Sequence, residues 1–292
     1  MPTTTFKLKV LTPMFMGGAD PQGEPELRAA SIRGAMRFWF RAMAATVTDD
    51  PREIYRLESE IFGNTERKSR VVVRVKTKLT RRDWGKYKLL PHKNFTSLAI
   101  SPHRIIDIEL AVSYGNEEFV KLVLYSFWLS TALGGWGRRS RRGAGTVVIE
   151  NVDGDFDFEK FKMFLKNPIK SQLNTVKNAF NRVFPDFKSP ENLWPYILKV
   201  VEWKKIFSKS WGDNSPIYFM FKKTSKFIRE NGDCLGQINP ERYASPIVAR
   251  VISKDNRYTL RFTVLQSSDH NCEKKINEFF EKIGNTEEVW HA

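Results

Sequence analysis

Short apolar runs predict four strands in the first half of the chain. Apolar and polar residues alternate from Thr4 to Leu11, which is the period of a half-buried strand. Three further runs are rich in β-branched residues, and we predict a strand for each of them. These runs are Val71–Val75, Ile105–Val112 and Thr146–Glu150.

Helical spacing of apolar residues predicts the elements between these strands. Ser31 is placed to cap a helix over 32–46, and a second amphipathic run follows Pro51 and ends at Gly63. Asn116 is placed to cap a third helix over 117–133. The resulting order, β-α-β-β-α-β, predicts an α+β fold of the ferredoxin-like (RRM-like) type, in which two helices cover one face of an antiparallel sheet.

The second half of the chain carries weaker signals. Helical patterns dominate in 158–184 and again in 193–207, whereas 216–221, 247–252 and 258–265 resemble strands. A last amphipathic helix is predicted from Cys272 to Ile283. We expect a second α+β domain that is a degenerate ferredoxin-like fold with helical insertions, although no sequence repeat is visible. The expected domains are 1–152 and 153–292.

A basic insertion, 76–101, separates the second and third strands of the first half and is predicted to be loop-like. It mixes lysines and arginines with Trp84, Tyr87, His92 and Phe95. This mixture is typical of surfaces that bind single-stranded nucleic acid. A disordered or partner-binding loop is an equally good interpretation.

Net charge narrows the range of partners. The 292 residues include 41% apolar residues, enough for one large core or two smaller ones, and carry a formal charge of +15. Ten of these excess charges lie in residues 1–150. Such a balance favours a nucleic acid or an anionic membrane as partner.

Other sequence features argue against a membrane and against export. No apolar run reaches the roughly 18 residues of a membrane span, and the first residues do not resemble a signal peptide. We therefore expect a soluble, cytoplasmic protein without a membrane partner. Cys234 and Cys272 are expected to be two unpaired thiols, because a reducing cytoplasm disfavours disulfides.

The segment from Gly134 to Gly145 combines five glycines with four arginines, between the third helix and the fourth strand. Glycine lets a backbone come close to a ligand, and guanidinium groups suit phosphate oxygens, so this loop predicts a polyanion site. Trp136 is open to two interpretations, stacking on a base or covering the core. The candidate contacts are Gly135, Trp136, Gly137, Arg138, Arg139, Ser140, Arg141, Arg142 and Gly143.

Arginine also recurs every fourth residue in the first helix, at Arg33, Arg37 and Arg41. This spacing places the three side chains on one stripe, along which a polyanion can run. A solvated outer face is the alternative. Phe38 and Trp39 lie beside the stripe, where aromatic rings can stack on unpaired bases. Core packing against the sheet explains Met36, Phe38 and Phe40 more simply.

The sequence contains few signals of a catalytic or metal site. The four histidines are scattered without zinc-ligand spacing, and no Walker loop is present. We expect no metal, no cofactor and no small-molecule substrate. The enzymatic alternative is metal-independent RNA cleavage, with His92 or His103 beside Tyr87 or Lys93 as acid and base.

Three segments together resemble the RAMP superfamily of CRISPR-associated RNA-binding proteins, most closely the first subunits of type III-B (Cmr) effector complexes. They are 11–20, 26–41 and the loop 134–145, and Ala244–Pro246 is also similar to a segment of that family. The resemblance implies two ferredoxin-like domains and a place in a ribonucleoprotein that carries a guide RNA.

The resemblance further implies a non-catalytic subunit for antiviral defence that holds guide or target RNA near the 3′ end of the guide. The expected partners are single-stranded RNA and other Cmr-type CRISPR subunits. A protein-binding scaffold with incidental RNA contact is a third possibility, because the aromatic residues of the second half can supply subunit interfaces. Those residues are Trp194, Trp203, Trp211 and the run 218–221.

Overall fold

The computed structural model of the chain describes residues 2–18, 20, 23–113, 117–155, 158–184, 196–236, 244–255, 257–266 and 272–292. The strands in chain order are β1 (Thr3–Val10), β2 (Val71–Val75), β3 (Trp84–Lys88), β4 (Thr96–Ile100), β5 (Ile105–Val112), β6 (Val147–Gly154), β7 (Ile197–Trp203), β8 (Ile247–Lys254), β9 (Arg257–Leu265) and β10 (Thr286–His291). The helices are α1 (Ala29–Ala44), α2 (Pro51–Phe62), α3 (Glu117–Ala132), α4 (Phe158–Lys166), α5 (Ile169–Val183), α6 (Pro216–Glu230), α7 (Gly232–Leu235) and α8 (Cys272–Ile283).

The first sheet has the strand order β2-β5-β1-β6, and all its pairs are antiparallel. Strand β1 is central, with Phe6 opposite Ile108 on one side and Val152 on the other. The alternation predicted for this strand is confirmed, because Phe6, Leu8 and Val10 are buried. Helices α1 and α3 cross between strands of this sheet, as in a ferredoxin-like fold.

The second sheet repeats the arrangement with the order β10-β7-β9-β8, again antiparallel. Helix α6 lies between β7 and β8 in the chain, and α8 lies between β9 and β10. The predicted second ferredoxin-like unit is therefore confirmed, together with both ends of the helix over Cys272–Ile283.

Two assignments in the second half were wrong. Within 193–207, which was predicted as helical, the structure has strand β7, and its residues are paired on both sides by β9 and β10. The predicted strand 216–221 is the start of α6. Ser215 caps this helix by accepting a hydrogen bond from the Tyr218 N–H, and Pro216 occupies its first turn.

The basic insertion 76–101 contains a hairpin, so the prediction of a loop was wrong. Strands β3 and β4 pair antiparallel, with Tyr87 opposite Ser97. The hairpin packs on the second unit, where the Trp211 indole donates to the Lys88 carbonyl at 3.0 Å. Alternation in β3 is obscured by lysines at two of its five positions, and this tertiary contact is not visible in the sequence.

Helix ends follow the predicted chemistry only in part. Gly63 ends α2 with a positive φ of 77°, as predicted, and Asp50, for which no role was predicted, caps this helix through the amides of Arg52 and Glu53. Helix α1 starts after Arg28 without a side-chain cap, so the role predicted for Ser31 was wrong. The remaining capping prediction, Asn116, lies outside the described residues.

Helices α4 and α5 follow the first sheet in sequence and join its core. Phe161, Phe164 and Phe180 belong to the same apolar cluster as Phe6 and Phe40. Residues that lie beyond the predicted boundary at 152 thus stabilise the first unit. Within the described part of the chain, no helix is long and apolar enough to cross a membrane.

Cys234 and Cys272 form a disulfide that joins α7 to α8. The prediction of two unpaired thiols was wrong, because it rested on the compartment inferred from composition. The two cysteines lie 38 positions apart in sequence, and only the packing of α7 against α8 brings them together.

Loss of this disulfide is expected to destabilise the protein. Because it closes a long chain segment, replacing both residues (Cys234→Ser with Cys272→Ser) should lower the free energy of unfolding by about 4 kcal/mol. Urea denaturation with and without reductant measures the difference. Reductant should weaken the wild type and leave the variant unchanged, and equal responses would contradict the pairing.

Candidate nucleic-acid interface

The loop 134–145 folds back on the segment that follows β1. The Arg138 amide donates to the Phe15 carbonyl at 2.8 Å, and the Gly145 amide donates to the Pro13 carbonyl at 2.9 Å. A third bond closes the loop on itself, from the Trp136 amide to the Gly145 carbonyl at 2.9 Å. These main-chain bonds make the loop a fixed part of the first unit.

Glycine is required in this loop by close packing. Gly145 has a φ of +61°, and a Cβ there would lie 1.8 Å from the Trp136 carbonyl oxygen. At Gly137, with a φ of +86°, a Cβ would lie 2.6 Å from the Phe15 carbonyl oxygen. Both values are far below van der Waals contact, so the two glycines let backbone pack on backbone.

Trp136 covers the core. Its side chain is 1% exposed and its ring centroid lies 5.7 Å from that of Phe127. The indole N–H donates to the Ser130 hydroxyl at 3.2 Å, so its only polar atom is satisfied inside the protein. Of the two interpretations of Trp136, the structure supports core packing.

Two of the four loop arginines reach into the second unit. Arg141 donates to the Ser245 carbonyl at 2.8 Å and its guanidinium lies 5.2 Å from the centre of the Phe38 ring. Arg142 donates to the Leu235 carbonyl at 3.4 Å. Burial lowers the pKa of Arg141, and burial, with Arg139 and Arg141 nearby, lowers the pKa of Arg142 to about 10. Arg142 therefore stays cationic at neutral pH, and both side chains join the two units.

The other two loop arginines point to solvent. Arg138 is exposed and donates to the Ser97 hydroxyl of the hairpin at 2.7 Å. Arg139 is also exposed, has a left-handed φ of 63°, and makes no side-chain hydrogen bond or ion pair with any described residue. Neither side chain meets a carboxylate in the described part of the chain. Ser140, next to them, is half-buried and lines a small cavity of about 200 Å³ with Arg141.

The arginine stripe of α1 meets a carboxylate. Glu58 of α2 is 1% exposed, and its Oε1 atom lies 2.6 Å from Arg37 Nε and 2.7 Å from Arg41 Nη1. A buried carboxylate needs such partners, so these two arginines tie α1 to α2. Arg33 is half-buried, and it has no ion pair with a described residue. Met36 and Phe40 are buried in the core, as expected, whereas Phe38 is half-buried; Trp39 is buried as well.

Two arginines of the second sheet also cross to the first unit, and sequence reasoning missed both. Arg250 is 5% exposed and donates to the Val147 carbonyl at 2.6 Å. Arg261 donates to the Ala132 carbonyl at 3.2 Å and forms a salt bridge with Glu202 at 2.7 Å. The one available signal was the occurrence of arginine inside apolar strand patterns.

The first half of the chain matches a known protein family. The model of the RAMP superfamily matches residues 7–148. A subunit from Pyrococcus furiosus, CRISPR system Cmr subunit Cmr1-2, is 32% identical over 178 residues, which are 50% of this chain and 94% of that protein. The chain belongs to the RAMP superfamily.

A second Pyrococcus furiosus relative of this RAMP protein is the Cmr subunit Cmr1-1, with 29% identity over 214 residues. The match covers 63% of this chain and 60% of that subunit.

Two solved structures share the fold. The apo crystal structure of Cmr1 from Pyrococcus furiosus has a TM-score of 0.68 at 19% identity, over 100% of this chain and 99% of that one. A chain of the type III-B Cmr-beta complex bound to cognate target RNA has a TM-score of 0.64 at 14% identity, over 97% and 98% of the two chains. At these identities the likeness concerns the fold.

His92 of this RAMP protein lies in a positively charged corner beside the loop. Its ring centroid is 4.2 Å from that of Phe221, and its Nδ1 atom is buried without a hydrogen-bond partner among the described residues. Burial, with Lys93, Arg139 and Arg142 nearby, lowers the pKa of His92 to about 4. The imidazole is therefore neutral at pH 7, which makes it a poor proton donor there but leaves it able to accept a proton.

Substitution of Gly145 is expected to destabilise the protein. In Gly145→Ala, the left-handed backbone alone should cost about 1–3 kcal/mol of unfolding free energy, and the Cβ contact with Trp136 adds to it. The matched control is Gly34→Ala in α1, where a Cβ meets nothing within 4 Å; it should be neutral or stabilising by up to about 1 kcal/mol. Thermal denaturation compares the two, and equal melting temperatures would contradict the packing argument.

Stability should also depend on pH through His92. Because the folded-state pKa, about 4, lies below the ordinary value of 6.5, the unfolded chain binds more protons between these values. The contribution of neutral His92 to the free energy of unfolding is therefore complete above pH 6.5 and is lost as the pH falls towards 4. His92→Phe keeps a ring against Phe221 and removes the titration. Urea midpoints of wild type and variant should diverge over this window, with the wild type falling faster; parallel profiles would refute the assignment.

Proposed function

We propose that this RAMP protein is a non-catalytic RNA-binding subunit of a type III-B CRISPR effector complex, which acts in antiviral defence against invading RNA. Its relatives are Cmr subunits of a CRISPR system, and the Cmr-beta complex with a similar chain is bound to target RNA. In this proposal the partners are single-stranded guide or target RNA, near the 3′ end of the guide, and other Cmr-type subunits.

The exposure of Arg138 and Arg139 is the observation that carries the proposal. The loop backbone is held by hydrogen bonds on both flanks, so the two guanidinium groups are presented to solvent by a fixed scaffold. Two adjacent cations without a carboxylate nearby repel each other, and phosphate oxygens would relieve that repulsion. Guanidinium groups also bind phosphate in a bidentate manner.

The surroundings of Arg138 extend the basic surface. Its partner Ser97 belongs to the β3–β4 hairpin, whose turn carries exposed Lys93 and Phe95, the latter 65% exposed. Cations beside an exposed aromatic ring suit single-stranded RNA, because the cations bind phosphates and a base stacks on the ring. Burial is the main cause of the low pKa of His92, and Lys93, Arg139 and Arg142 lower it further, so these three cations lie close together beside the same ring.

The α1 arginines have a smaller part in this proposal. Arg37 and Arg41 already neutralise Glu58, whereas Arg33 has no such partner among the described residues. We therefore propose that phosphates meet Arg138, Arg139 and Arg33 first. Contacts of this type hold the sugar-phosphate backbone without reading bases, so sequence selection would come from pairing with the guide.

Charge reversal in the loop tests the proposed function. Arg138→Glu with Arg139→Glu should abolish the mobility shift of end-labelled single-stranded RNA and lower the slope of log affinity against log salt by about 0.7 per lost phosphate contact. The matched control is Lys166→Glu with Lys170→Glu, two exposed lysines near the α4–α5 turn that change the net charge equally.

Three outcomes separate the alternatives. Loss of RNA binding in the loop variant alone supports the proposal. Metal-independent cleavage of the RNA by the wild type would instead identify the protein as a nuclease. If the loop variant assembles with partner subunits as the wild type does and its RNA affinity is unchanged, the protein is a scaffold and the proposed RNA-binding function is wrong.

A further inference from the structure

A groove of about 510 Å³ opens where the β3–β4 hairpin meets the second unit. Strand β3 and the turn before β5 form one side, and the β7–α6 connection and strand β9 form the other. None of the loop arginines lines it, so it is separate from the surface around Arg138 and Arg139. The lining residues that matter here are Lys86, Lys88, His103, Lys209, Trp211 and Tyr258.

The groove is positively charged. Lys88 is neutralised by Asp213 at 3.3 Å, but Lys86 and Lys209 are exposed and have no ion pair with a described residue. The described residues that line the groove include no carboxylate. Lysine is a compact cation on a flexible stem, which suits a phosphate whose position is set by other contacts.

Two aromatic residues of the groove are held in place before any ligand binds. The Trp211 indole donates to the Lys88 carbonyl at 3.0 Å, which anchors the ring to the hairpin. Tyr258 is fixed through its main chain, which exchanges two hydrogen bonds of 2.8 Å with Phe207. Both side chains are half-buried, so each keeps an accessible part. Aromatic faces of this kind stack on unpaired bases.

The rim of the groove contains strained backbone. His103 has a left-handed φ of 67°, and its amide donates to the Val10 carbonyl at 2.6 Å. A non-glycine residue adopts this conformation at a cost that the surrounding structure must offset, and such residues are enriched at ligand sites. The bond to β1 thus holds His103 at the mouth of the groove.

The groove is adjacent to the loop through the hairpin. Tyr87, which lines it, lies directly opposite Ser97, the residue that binds Arg138. Paired residues of an antiparallel hairpin have their side chains on the same face. On the other flank, the Phe15 carbonyl binds the Arg138 amide, and the Phe15 ring lies 6.4 Å from that of Trp211. The groove therefore lies next to Arg138.

We infer that this groove is a second RNA subsite, which accepts one unpaired nucleotide of the strand held by the loop. Its base packs against Trp211 and Tyr258, and its flanking phosphates meet Lys86 and Lys209. The inference rests on the proposed function, because RNA bound at the loop supplies the nucleotide.

The test combines charge reversal with RNA length. The full chain is titrated with single-stranded RNAs of about 4 and about 12 nucleotides, a span that brackets short and extended binding sites. Lys86→Glu with Lys209→Glu should weaken the longer RNA by about tenfold or more, reduce its salt slope by about 1.4, and affect the shorter RNA much less. Lys166→Glu with Lys170→Glu is the control of equal charge. With 4-thiouridine in the longer RNA, photocrosslinks should map to the peptides of Trp211 or Tyr258.

The outcomes distinguish this inference from the proposed function. If the loop variant Arg138→Glu with Arg139→Glu loses both RNAs while the groove variant matches the control, the groove is not an RNA subsite and the proposed function stands. If the loop variant binds both RNAs like the wild type, the proposed function fails and the groove inference fails with it. A groove variant that keeps RNA affinity but loses a Cmr partner subunit would reassign the groove to an acidic protein surface.

Discussion

Hydrogen bonds to carbonyls of the arginine-glycine loop tie this loop to both units of the protein. The Gly143 carbonyl accepts from the hydroxyls of Thr12 and Thr146, at 2.7 and 3.1 Å, within the first unit. Two residues earlier, the Arg141 carbonyl accepts from the Ala249 amide of β8 at 2.9 Å. A loop fixed to both sheets has little freedom, and its backbone decides which side chains face inward and which face solvent.

Charge burial at the junction follows from this constraint. Arg142 and Arg250 are surrounded by protein and donate to main-chain carbonyls of other elements, and Arg261 is neutralised by Glu202. Burial of a guanidinium is costly unless its donors are satisfied, and Arg250 Nε has no hydrogen-bond partner among the described residues. The bonds that these arginines do make across the junction depend on the relative position of the units. Part of the excess positive charge therefore serves the architecture. Other cations near this junction stay exposed, among them Arg138, Arg139 and Lys93 of the hairpin.

Local patterns were sufficient for most elements and failed where tertiary contacts override them. Strand β1 and helix α8 were predictable because each has one buried face and a clear period. Strand β7 was misassigned because partners on both sides bury its residues and remove the alternation. The hairpin was missed because β3 carries two lysines in five residues and because the contacts that stabilise the hairpin, with Met14 and Trp211, come from far away in sequence.

The sequence by itself determined the ferredoxin-like first unit, the likeness to the RAMP superfamily and the position of the arginine-glycine loop, since these depend on local periodicity and on residue types. Only the tertiary structure decided how the loop arginines are used. Four arginines in five positions look alike in a sequence, yet Arg141 and Arg142 are inside the junction while Arg138 and Arg139 are outside. The tertiary structure also pairs Cys234 with Cys272 and places Glu58 beside the arginine stripe of α1. The physical reason is that exposure and neutralisation depend on distant residues, which come together only when both sheets pack.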